Sequence, residues 1–496
     1  MHLTYPILIL MYYPFKVNSF NKFFKTFYYF FVIIYNIIKG RDFMFDGKLV
    51  HFIGIGGISM SGIAYIIHSL GANVTGSNIV SSEVTDKLIS DGFNVQIGHH
   101  PEMIKDADII VYTAAIKEDD PEIIEAKKLN KEIYERAVFL GKLSKHYENS
   151  LCIAGTHGKS TTTGMVSLIF LEAKLNPTIQ IGAMLSPING NYYVGDTKYL
   201  IIEACEYVDS FLHFYPTGSI ITNIDDDHLD YFKNLDNIKA SFKKFVNLMP
   251  NTGILVKNND DANSSNVEEG FSGKVITYGI NKTSDYVAKN ITKNDLGHYS
   301  FDIYKDDALL MHIDLKINGR HNVYNALAAI ALSHEYISDI NIIKAGLEKY
   351  HGVGRRFEYL GTYNGAFLYD DYAHHPTEIK TTVESVKSVK HNHEYAIFQG
   401  HTYSRTKEHL DEFADVLANF ENVIIAPIYA ARETNTFNVS ESMLVDKIKM
   451  KNKNVIYLDT YDKIKEYIKN NVHEKDLVIS IGAGDANKIV KELVSN

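Results

Sequence analysis

The segment at residues 148–164, ENSLCIAGTHGKSTTTG, limits the possible folds of this chain more than any other stretch. An apolar run from Leu151 to Ala154 predicts a buried strand that ends at Gly155, and a helix is expected to begin near Lys159. Free backbone N–H groups and the positive end of a helix dipole at such a turn form an anion cradle. The segment therefore predicts a site for a nucleoside triphosphate.

The turn has the spacing G-T-x-G-K-S, which is the eight-residue P-loop without its first glycine, because Ile153 stands at that place. In such loops the lysine reaches the β- and γ-phosphates, and the hydroxyl after it can ligate Mg²⁺. A glycine-rich strand–helix turn without a ligand is the alternative. The residues predicted to contact the triphosphate here are Gly155, Thr156, His157, Gly158, Lys159, Ser160 and Thr161.

Length and charge restrict the class of protein. With 496 residues, the chain is long enough for about two to four domains. Its net charge of −10 argues against a protein that binds nucleic acid. The two cysteines, Cys152 and Cys205, lie in apolar contexts, so we expect the reducing cytoplasm and no disulfide framework.

Residues 1–43 differ from the rest, since they are aromatic and aliphatic with several basic residues and a single acid, Asp42. Their longest apolar stretch, residues 27–38, is shorter than the ~20 residues that cross a bilayer, and they lack a signal-peptide cleavage site. We interpret them as an extension of doubtful role, with Met44 as an alternative start. A peripheral membrane helix and an ordered flap are the other interpretations, but membrane association is not expected.

The pattern along the chain predicts an α/β fold of three domains. Residues 44–147 alternate short strands with helices, which is typical of a Rossmann-like parallel sheet. Residues 148–352 contain the phosphate loop, and between 253 and 317 apolar side chains alternate with polar ones, as in half-exposed antiparallel strands. Residues 353–496 return to the first pattern and predict a second Rossmann-like domain.

A second glycine-rich turn follows the first predicted strand, at Gly54-Ile-Gly-Gly-Ile-Ser-Met-Ser-Gly62. A nicotinamide site would have an acidic residue about 20 positions further on, to hold the ribose hydroxyls. Here Asn78 stands at that place, so a different diphosphate is the better interpretation. A dehydrogenase, and a close helix–strand crossing without a ligand, remain as alternatives.

Acidic residues and a histidine follow two predicted strands of the central region. Glu203 ends the strand Tyr199–Glu203, and Asp225-Asp-Asp-His228 follows the strand Ser219–Asn223. Side chains at the carboxyl ends of parallel strands lie beside the phosphate loop and can hold Mg²⁺ against phosphate oxygens. The alternative is a helix N-cap formed by the aspartates, with a solvated histidine.

These segments together resemble the ATP-dependent muramyl ligases, the Mur ligase family. The resemblance covers roughly residues 48–485 and follows the family's order. The matching segments are His51-Phe-Ile-Gly-Ile-Gly-Gly, Gly155-Thr-His-Gly-Lys-Ser, Thr222-Asn with Asp227-His-Leu-Asp230, Gly319-Arg-His-Asn322 with Asn325, Gly354-Arg-Arg-Phe, Asp370-Asp-Tyr-Ala-His-His-Pro-Thr and Gly482-Ala-Gly-Asp485.

The resemblance implies a role for each matching residue. The first turn would hold the diphosphate of a UDP-sugar through Gly54, Gly56, Gly57, Ser59, Met60, Ser61 and Asn78. The phosphate loop, Asn322, Asn325, Arg356 and Asp371 would bind ATP. Ser160 and Glu203 would ligate one Mg²⁺, and His228 would serve a second metal or align the substrate carboxylate, with Lys159, Glu203 and His228 as the catalytic residues. The substrate residues would be His374, His375 and Arg405. The spacing after Glu203 departs from the family's acidic cluster, so the resemblance assigns no definite role to Glu206 and Asp209.

The opening turn and the segment at 370–377 are most similar to the family member that joins L-alanine to UDP-N-acetylmuramate in peptidoglycan synthesis. This resemblance implies amide formation through an acyl phosphate, and a monomer or homodimer. Siblings that add later residues carry a modified lysine about fifteen positions after the Asp-His pair, where this chain has Phe242. A sibling that attaches a preformed peptide to the same sugar nucleotide, and a nucleotide-gated binding protein without turnover, are the alternatives.

Overall fold

The computed structural model describes residues 45–294, 297–431 and 433–494. The N-terminal extension, its apolar stretch and the alternative start at Met44 lie outside these residues. In the described part of the chain, no helix is both long and apolar enough to span a bilayer.

The first domain is a parallel sheet of five strands in the order β3-β2-β1-β4-β5. The strands are β1 Leu49–Ile53, β2 Asn73–Asn78, β3 Asn94–Ile97, β4 Ile109–Tyr112 and β5 Glu132–Glu135. The helices are α1 Ile58–Ser69, α2 Glu83–Ser90, α3 Pro121–Lys128 and α4 Arg136–Ser144. The strand order reverses between β1 and β4, so the turn after β1 lies where open α/β sheets bind ligands.

The central domain has a sheet of ten strands in the order β15-β14-β13-β12-β11-β10-β6-β9-β7-β8. The strands are β6 Asn149–Ala154, β7 Thr178–Leu185, β8 Gly190–Tyr193, β9 Tyr199–Glu203, β10 Gly218–Ile221, β11 Ile254–Asn258, β12 Lys274–Gly279, β13 Tyr286–Lys293, β14 His298–Lys305 and β15 Ala308–Asn318. The helices are α5 Lys159–Glu172, α6 Leu229–Phe232, α7 Leu235–Val246, α8 His321–Ser333 and α9 Ile340–Glu348.

The register of this sheet positions the predicted site. The β6 strand pairs in parallel with β9 on one side and β10 on the other, with Ile153 opposite Glu203 and Ala154 opposite Ile221. The segments that follow these three strands therefore lie side by side. The alternation predicted for antiparallel strands between 253 and 317 is confirmed for β14 and β15, where Phe301, Ile303, Ile313 and Leu315 are buried between more exposed neighbours. It is wrong for β11 and β12, which lie in the same range and extend the parallel part of the sheet.

The C-terminal domain is a six-stranded sheet in the order β16-β17-β21-β18-β19-β20, parallel except for β16. The strands are β16 Glu358–Tyr363, β17 Ala366–Asp371, β18 Glu394–Phe398, β19 Asn422–Ile425, β20 Val455–Tyr457 and β21 Leu477–Ile481. The helices are α10 Pro376–Ser388, α11 Tyr403–Glu408, α12 Leu410–Leu417, α13 Glu441–Lys449, α14 Tyr461–Asn471 and α15 Asn487–Val494. The predicted α/β class is confirmed, while the domain limits at 147/148 and 352/353 stay predictions.

Candidate active site

The phosphate loop joins β6 directly to the first residue of α5. Gly155 has φ +136° and Gly158 has φ +84°, and residues with a Cβ rarely adopt these conformations. A Cβ on Gly155 would also overlap the hydroxyl oxygen of Thr222, which follows β10. Among the described residues, no side chain caps α5, so its first N–H groups remain available to an anion.

The segment after β10 holds the loop in shape. The Asn223 side-chain amide accepts from the N–H of His157 and donates to the His157 carbonyl, both at 3.0 Å. The Thr222 hydroxyl donates to the same carbonyl at 2.6 Å, and the Thr156 hydroxyl accepts from the N–H of Asp225 at 2.9 Å. These bonds organise the anion cradle before a ligand binds.

Lys159 lies folded back on its own loop. Its Nζ donates to the carbonyl oxygens of Gly155 and Thr156 at 2.7 and 3.0 Å, and to Oε1 of Glu206 at 3.1 Å. Burial alone would lower the pKa of Lys159, but the Glu206 and Glu203 carboxylates outweigh it. The pKa is therefore raised and the ammonium stays charged.

Glu203 and Ser160 face the same cleft from neighbouring segments. Glu203 ends β9 and accepts the N–H of Gly182 at 2.9 Å, which fixes one carboxylate oxygen. Ser160 is the second residue of α5, next to Lys159. A hydroxyl and a carboxylate beside a phosphate cradle form a donor set that suits Mg²⁺.

His228 lies at the start of α6 with φ +52°, close to two acids. Its ring packs against Tyr207, with 4.4 Å between the ring centroids. Its Nε2 is 3.7 Å from Oδ2 of Asp227. One ligand atom each from Glu206, Asp227 and His228 lie within 4.8 Å of one another. Carboxylate oxygens and an imidazole nitrogen fit Mg²⁺ or Mn²⁺ in chemistry.

A cleft of about 1080 Å³ lies between the central and C-terminal domains. It brings together most of the residues predicted to bind ATP. Those that line it are Thr156, His157, Gly158, Lys159, Ser160, Thr161, Asn322, Asn325, Arg356 and Asp371. Gly155 does not line it. The adenine contacts predicted for Asn322 and Asn325 stay predictions, but their side chains are joined at 2.8 Å and Asn325 packs against Gly158.

Asp371, at the end of β17, is buried in this cleft. Its carboxylate accepts from the Ala373 N–H at 3.0 Å and from the Thr382 hydroxyl at 2.9 Å. Burial raises the pKa of Asp371 to about 6, although the Arg356 guanidinium opposes the shift. Arg356 is half-exposed, and its Nη1 lies 3.8 Å from Oε1 of Glu378.

His374 and Arg405, two of the predicted substrate residues, both contact His401. The rings of His374 and His401 have centroids 6.0 Å apart, and Nη1 of Arg405 donates to Nδ1 of His401 at 3.4 Å. The N–H of His374 donates to Oε2 of Glu378 at 2.9 Å. The three side chains therefore lie together at the carboxyl end of the C-terminal sheet.

His375, the third substrate residue, begins α10 next to His409, with ring centroids 4.7 Å apart. Burial and the His409 charge lower the pKa of His375, while the acid Asp227 of the central domain acts in the opposite direction. His375 thus lies close enough to Asp227 for that carboxylate to act on its charge.

The first turn closes on Asn78. Gly54 has φ +83°, and a Cβ there would lie 2.9 Å from Cγ2 of Thr113. The N–H of Gly56 donates to Oδ1 of Asn78 at 3.2 Å, and Gly57 N–H donates to the Gly54 carbonyl at 3.2 Å. Asn78 therefore shapes the turn, in addition to any contact with a ligand.

The side chains of the two serines and the methionine in this turn point in different directions. Ser59 accepts from Nη1 of Arg136 at 3.3 Å. Met60 is buried in the core, and the buried Ser61 hydroxyl donates to the Ile58 carbonyl at 3.0 Å. Met60 and Ser61 can therefore reach a ligand only through the backbone, and their predicted role remains a prediction.

Family models match the chain in three consecutive parts. These are the catalytic domain of the Mur ligase family over residues 49–148, the Mur ligase middle domain over 153–333 and the Mur ligase glutamate ligase domain over 355–484. A UDP-N-acetylmuramate–L-alanine ligase of Caldanaerobacter subterraneus subsp. tengcongensis is 46% identical over 89% of this chain and 96% of that relative. The chain belongs to the Mur ligase family.

Other relatives and solved structures agree with this membership. A UDP-N-acetylmuramate–L-alanine ligase of Acetivibrio thermocellus is 46% identical over 89% of this Mur ligase and 94% of its own length. The crystal structure of a UDP-N-acetylmuramate–alanine ligase from Thermotoga maritima matches with a TM-score of 0.77 and 28% identity, over 90% of this chain and 98% of that one. A murein peptide ligase from Psychrobacter arcticus, with a TM-score of 0.67 and 24% identity over 90% and 98% of the two chains, shares the fold.

Three residues of this Mur ligase site were given no role by sequence reasoning. Glu206 pairs with Lys159, Asn223 holds His157, and Arg136 donates to Ser59. A polar residue directly after a buried strand was the available signal for Asn223. Arg136 had no such signal, because it lies far along the chain from the turn that it reaches.

Proposed function

We propose that the chain is a UDP-N-acetylmuramate–L-alanine ligase that consumes ATP and serves peptidoglycan synthesis. The observation that carries the proposal is the cleft in which the phosphate loop of one domain faces Arg356 and Asp371 of another. Such a cleft suits a reaction that needs a triphosphate and an acyl acceptor together. The names of the relatives that are 46% identical over most of their length give the substrates.

The reaction makes an amide from a carboxylate, which is a poor electrophile because its charge repels nucleophiles. The lactyl carboxylate attacks the γ-phosphate, ADP leaves, and the resulting acyl phosphate is attacked by the neutral amine of L-alanine. Phosphate is then expelled from the tetrahedral intermediate. The first step brings several negative charges together, and Lys159 with the N–H groups of the phosphate loop neutralises them.

The other residues orient the reactants and exclude water. Ser160, Glu203 and His228 would hold Mg²⁺, which supplies charge neutralisation at the phosphates. The turn at Gly54–Gly57 holds the diphosphate of the sugar nucleotide. His374, His375 and Arg405 face the muramoyl group and the amino acid. Closure of the C-terminal domain over the central one protects the acyl phosphate from hydrolysis.

The proposal also names the nucleotide, the metal, the cellular location and the oligomeric state. ATP is the nucleotide, Mg²⁺ is the metal, and the enzyme works in the cytoplasm as a monomer or homodimer. Support for Mg²⁺ comes from the donor chemistry around the phosphate loop, since hydroxyl and carboxylate oxygens are its preferred ligands.

Phosphate release tests the proposal. The purified protein is given ATP, Mg²⁺ and UDP-N-acetylmuramate with L-alanine, L-serine, glycine or a tripeptide in parallel. We expect release that requires both the sugar nucleotide and an amino acid and is fastest with L-alanine. Release with the tripeptide alone would identify the peptide-attaching sibling, and no release with any acceptor would contradict ligase activity.

A further inference from the structure

The helix that follows the first glycine-rich turn is held by the central domain as well as by its own sheet. Asn191 of β8 is 6% exposed, and its Nδ2 donates to the carbonyl oxygen of Ile58, the first residue of α1, at 2.9 Å. Ile58 directly follows Gly57, so this hydrogen bond lies next to the backbone N–H groups expected to bind the diphosphate. The bond therefore attaches the first turn to a strand of a different domain.

Gly62, the last glycine of this turn motif, allows α1 to approach the central domain closely. A Cβ there would lie 3.3 Å from Cβ of Tyr192, 3.4 Å from Nε2 of Gln180 and 3.5 Å from Nδ2 of Asn191. Further along α1, the ring of Tyr65 stacks on that of Tyr192, with 4.6 Å between the centroids and 12° between the planes. The contact between α1 and the strands β7 and β8 is therefore tightly packed around the Asn191 hydrogen bond.

The β7–β8 hairpin, residues 178–193, also contacts the carboxylate expected on Mg²⁺. Strand β7 pairs in parallel with β9, with Gln180 opposite Ile202, and β9 ends at Glu203. The pairing of β7 with β8 is irregular between Gln180 and Leu185, and within this stretch the N–H of Gly182 donates to Oε2 of Glu203 at 2.9 Å. The hairpin therefore contacts the turn of one site and a carboxylate of the other.

We propose that Asn191 is a positioning residue, which through the β7–β8 hairpin fixes the sugar-nucleotide turn relative to Glu203 of the ATP site. The reaction requires the carboxylate of the sugar nucleotide to meet the γ-phosphate, and a misplacement of about 1 Å in such an approach can cost ~100-fold in rate. A hydrogen bond between the two domains restricts that misplacement before either substrate binds. The inference rests on the proposed function, because it takes the first turn as the site of the sugar nucleotide.

Kinetics and calorimetric titration of Asn191→Leu provide the first test, since this change removes the donor and keeps a side chain of similar size. We expect the affinity for UDP-N-acetylmuramate without nucleotide to fall about fivefold, because one hydrogen bond that shapes the turn is lost. With both substrates saturating, kcat should fall about tenfold, and KM for ATP should stay unchanged.

Tyr193→Phe is the matched control for these measurements. It removes a hydroxyl from the same strand, but that hydroxyl donates to Oδ1 of Asn176 within the central domain, at 3.4 Å. The control should keep the wild-type affinity for UDP-N-acetylmuramate, kcat and KM for ATP. A control that loses as much affinity and rate as Asn191→Leu would overturn the proposal, because any disturbance of the hairpin would then have the same effect.

A merely structural role of Asn191 predicts a different result. Asn191→Leu would then unfold at a lower temperature, with kcat and both KM values unchanged, and this outcome would overturn the proposal. An equal rise of KM for ATP and for UDP-N-acetylmuramate would also overturn it, since the effect would not be confined to the first turn. Should Asn191→Leu not fold, Asn191→Ala replaces it in every comparison.

Hydrogen exchange followed by mass spectrometry tests the inference without any substrate. In Asn191→Leu, backbone amides of residues 54–62 should exchange faster than in the wild type and in Tyr193→Phe, because the turn has lost its attachment to β8. Equal exchange in all three proteins would contradict the inference. If the wild type binds no UDP-N-acetylmuramate, the proposed function fails, and the exchange rates still decide whether Asn191 holds the turn.

Discussion

The two glycine-rich turns of this Mur ligase have similar positions and different surroundings. Each follows a buried strand, precedes a helix and begins with a glycine of positive φ, at Gly54 and Gly155. The first closes on the neutral amide of Asn78. The second contains Lys159 and is held by the segment after β10 on the neighbouring strand.

This difference shows that backbone shape supplies a general anion site, while the surrounding charges determine what the site can do. A diphosphate that is bound without reacting needs N–H groups and at most one cation at the edge of the turn, such as Arg136 beside Ser59. A triphosphate that reacts needs a mobile cation and carboxylates for a metal. Mutations that exchange these features separate binding from catalysis.

Loss of the lysine should have the largest effect. Lys159→Met should lower kcat by about 10³-fold, because a preorganised positive charge in the transition state is lost. In EDTA it should also lower the free energy of unfolding by about 3 kcal/mol, since Glu206 is left buried without a partner. Lys159→Met/Glu206→Gln should recover that stability but not the turnover. Urea unfolding and phosphate release measure the two effects, and substantial activity in Lys159→Met would refute the assignment of the phosphate loop.

Adding a methyl group to the phosphate loop should have the next largest effect. Gly155→Ala introduces a Cβ that overlaps the Thr222 hydroxyl at φ +136°, so we expect about 2–4 kcal/mol less stability and no measurable ATP binding. The matched control in the first turn is Gly57→Ala, whose Cβ would meet its nearest atoms at an ordinary 3.5 Å. Calorimetric titration with ATP and thermal unfolding compare the two, and equal losses would contradict the difference in backbone demand.

A charge placed in the first turn should weaken one substrate only. Asn78→Asp keeps an acceptor for the N–H of Gly56, but it puts a negative charge beside the expected diphosphate. We expect KM for UDP-N-acetylmuramate to rise by about tenfold, and KM for ATP to stay unchanged. Asn94→Asp, at an exposed position of the same domain, is the control. If both KM values rise together, the first turn does not act independently of the ATP site.

The phosphate loop differs from the first turn in another respect. It faces Asp371, a buried acid of a different domain. The folded chain holds the Asp371 proton up to a pKa of about 6, whereas an unfolded chain releases it near about 4. The folded state therefore binds more protons in this window, and the contribution of Asp371 to stability falls as pH rises from about 4 to about 6.

Asp371→Asn should abolish that fall. Relative to the wild type, the variant should gain about 2 kcal/mol between about pH 4 and about pH 7, with no further change at higher pH. Urea unfolding of both proteins at the two pH values measures the difference. A variant that differs from the wild type by the same amount at both would show that burial does not perturb this carboxyl.

The sequence predicted those parts of the fold whose signals are local. Tyr199–Glu203 was predicted with the observed bounds, because it is an apolar run that turn residues delimit. The first strand ends at Ile53, directly before the glycine-rich turn, because Gly54 turns the backbone to positive φ. The edge strand Asn94–Ile97 was not predicted, since only Val95 of it is buried and its pairing with β2 defines it.

The residues of the candidate site could likewise be predicted from the sequence only where the signal was local. The loop motif identified Lys159 and Ser160, but the role of Glu206 depends on the parallel pairing of β6 with β9, which places the segment after β9 against the loop. A lone acid next to a cysteine carries no sign of burial in the sequence. Long-range register, which no single motif encodes, explains what sequence reasoning could not find.

Removal of one hydroxyl from the first turn should give the smallest effect, and the same change in the phosphate loop provides the comparison. Ser59 accepts a hydrogen bond from the Arg136 guanidinium at 3.3 Å, so Ser59→Ala loses one partly buried, weak contact and should raise KM for UDP-N-acetylmuramate only about threefold. Ser160→Ala removes an expected metal ligand and should raise the Mg²⁺ concentration needed for half-maximal rate by about 10–100-fold. Steady-state kinetics at varied Mg²⁺ separate the two. If Ser59→Ala shifted the Mg²⁺ requirement as Ser160→Ala does, the first turn would also bind metal. The first turn would then not be limited to binding the sugar nucleotide, and the proposed difference between the two turns would be wrong.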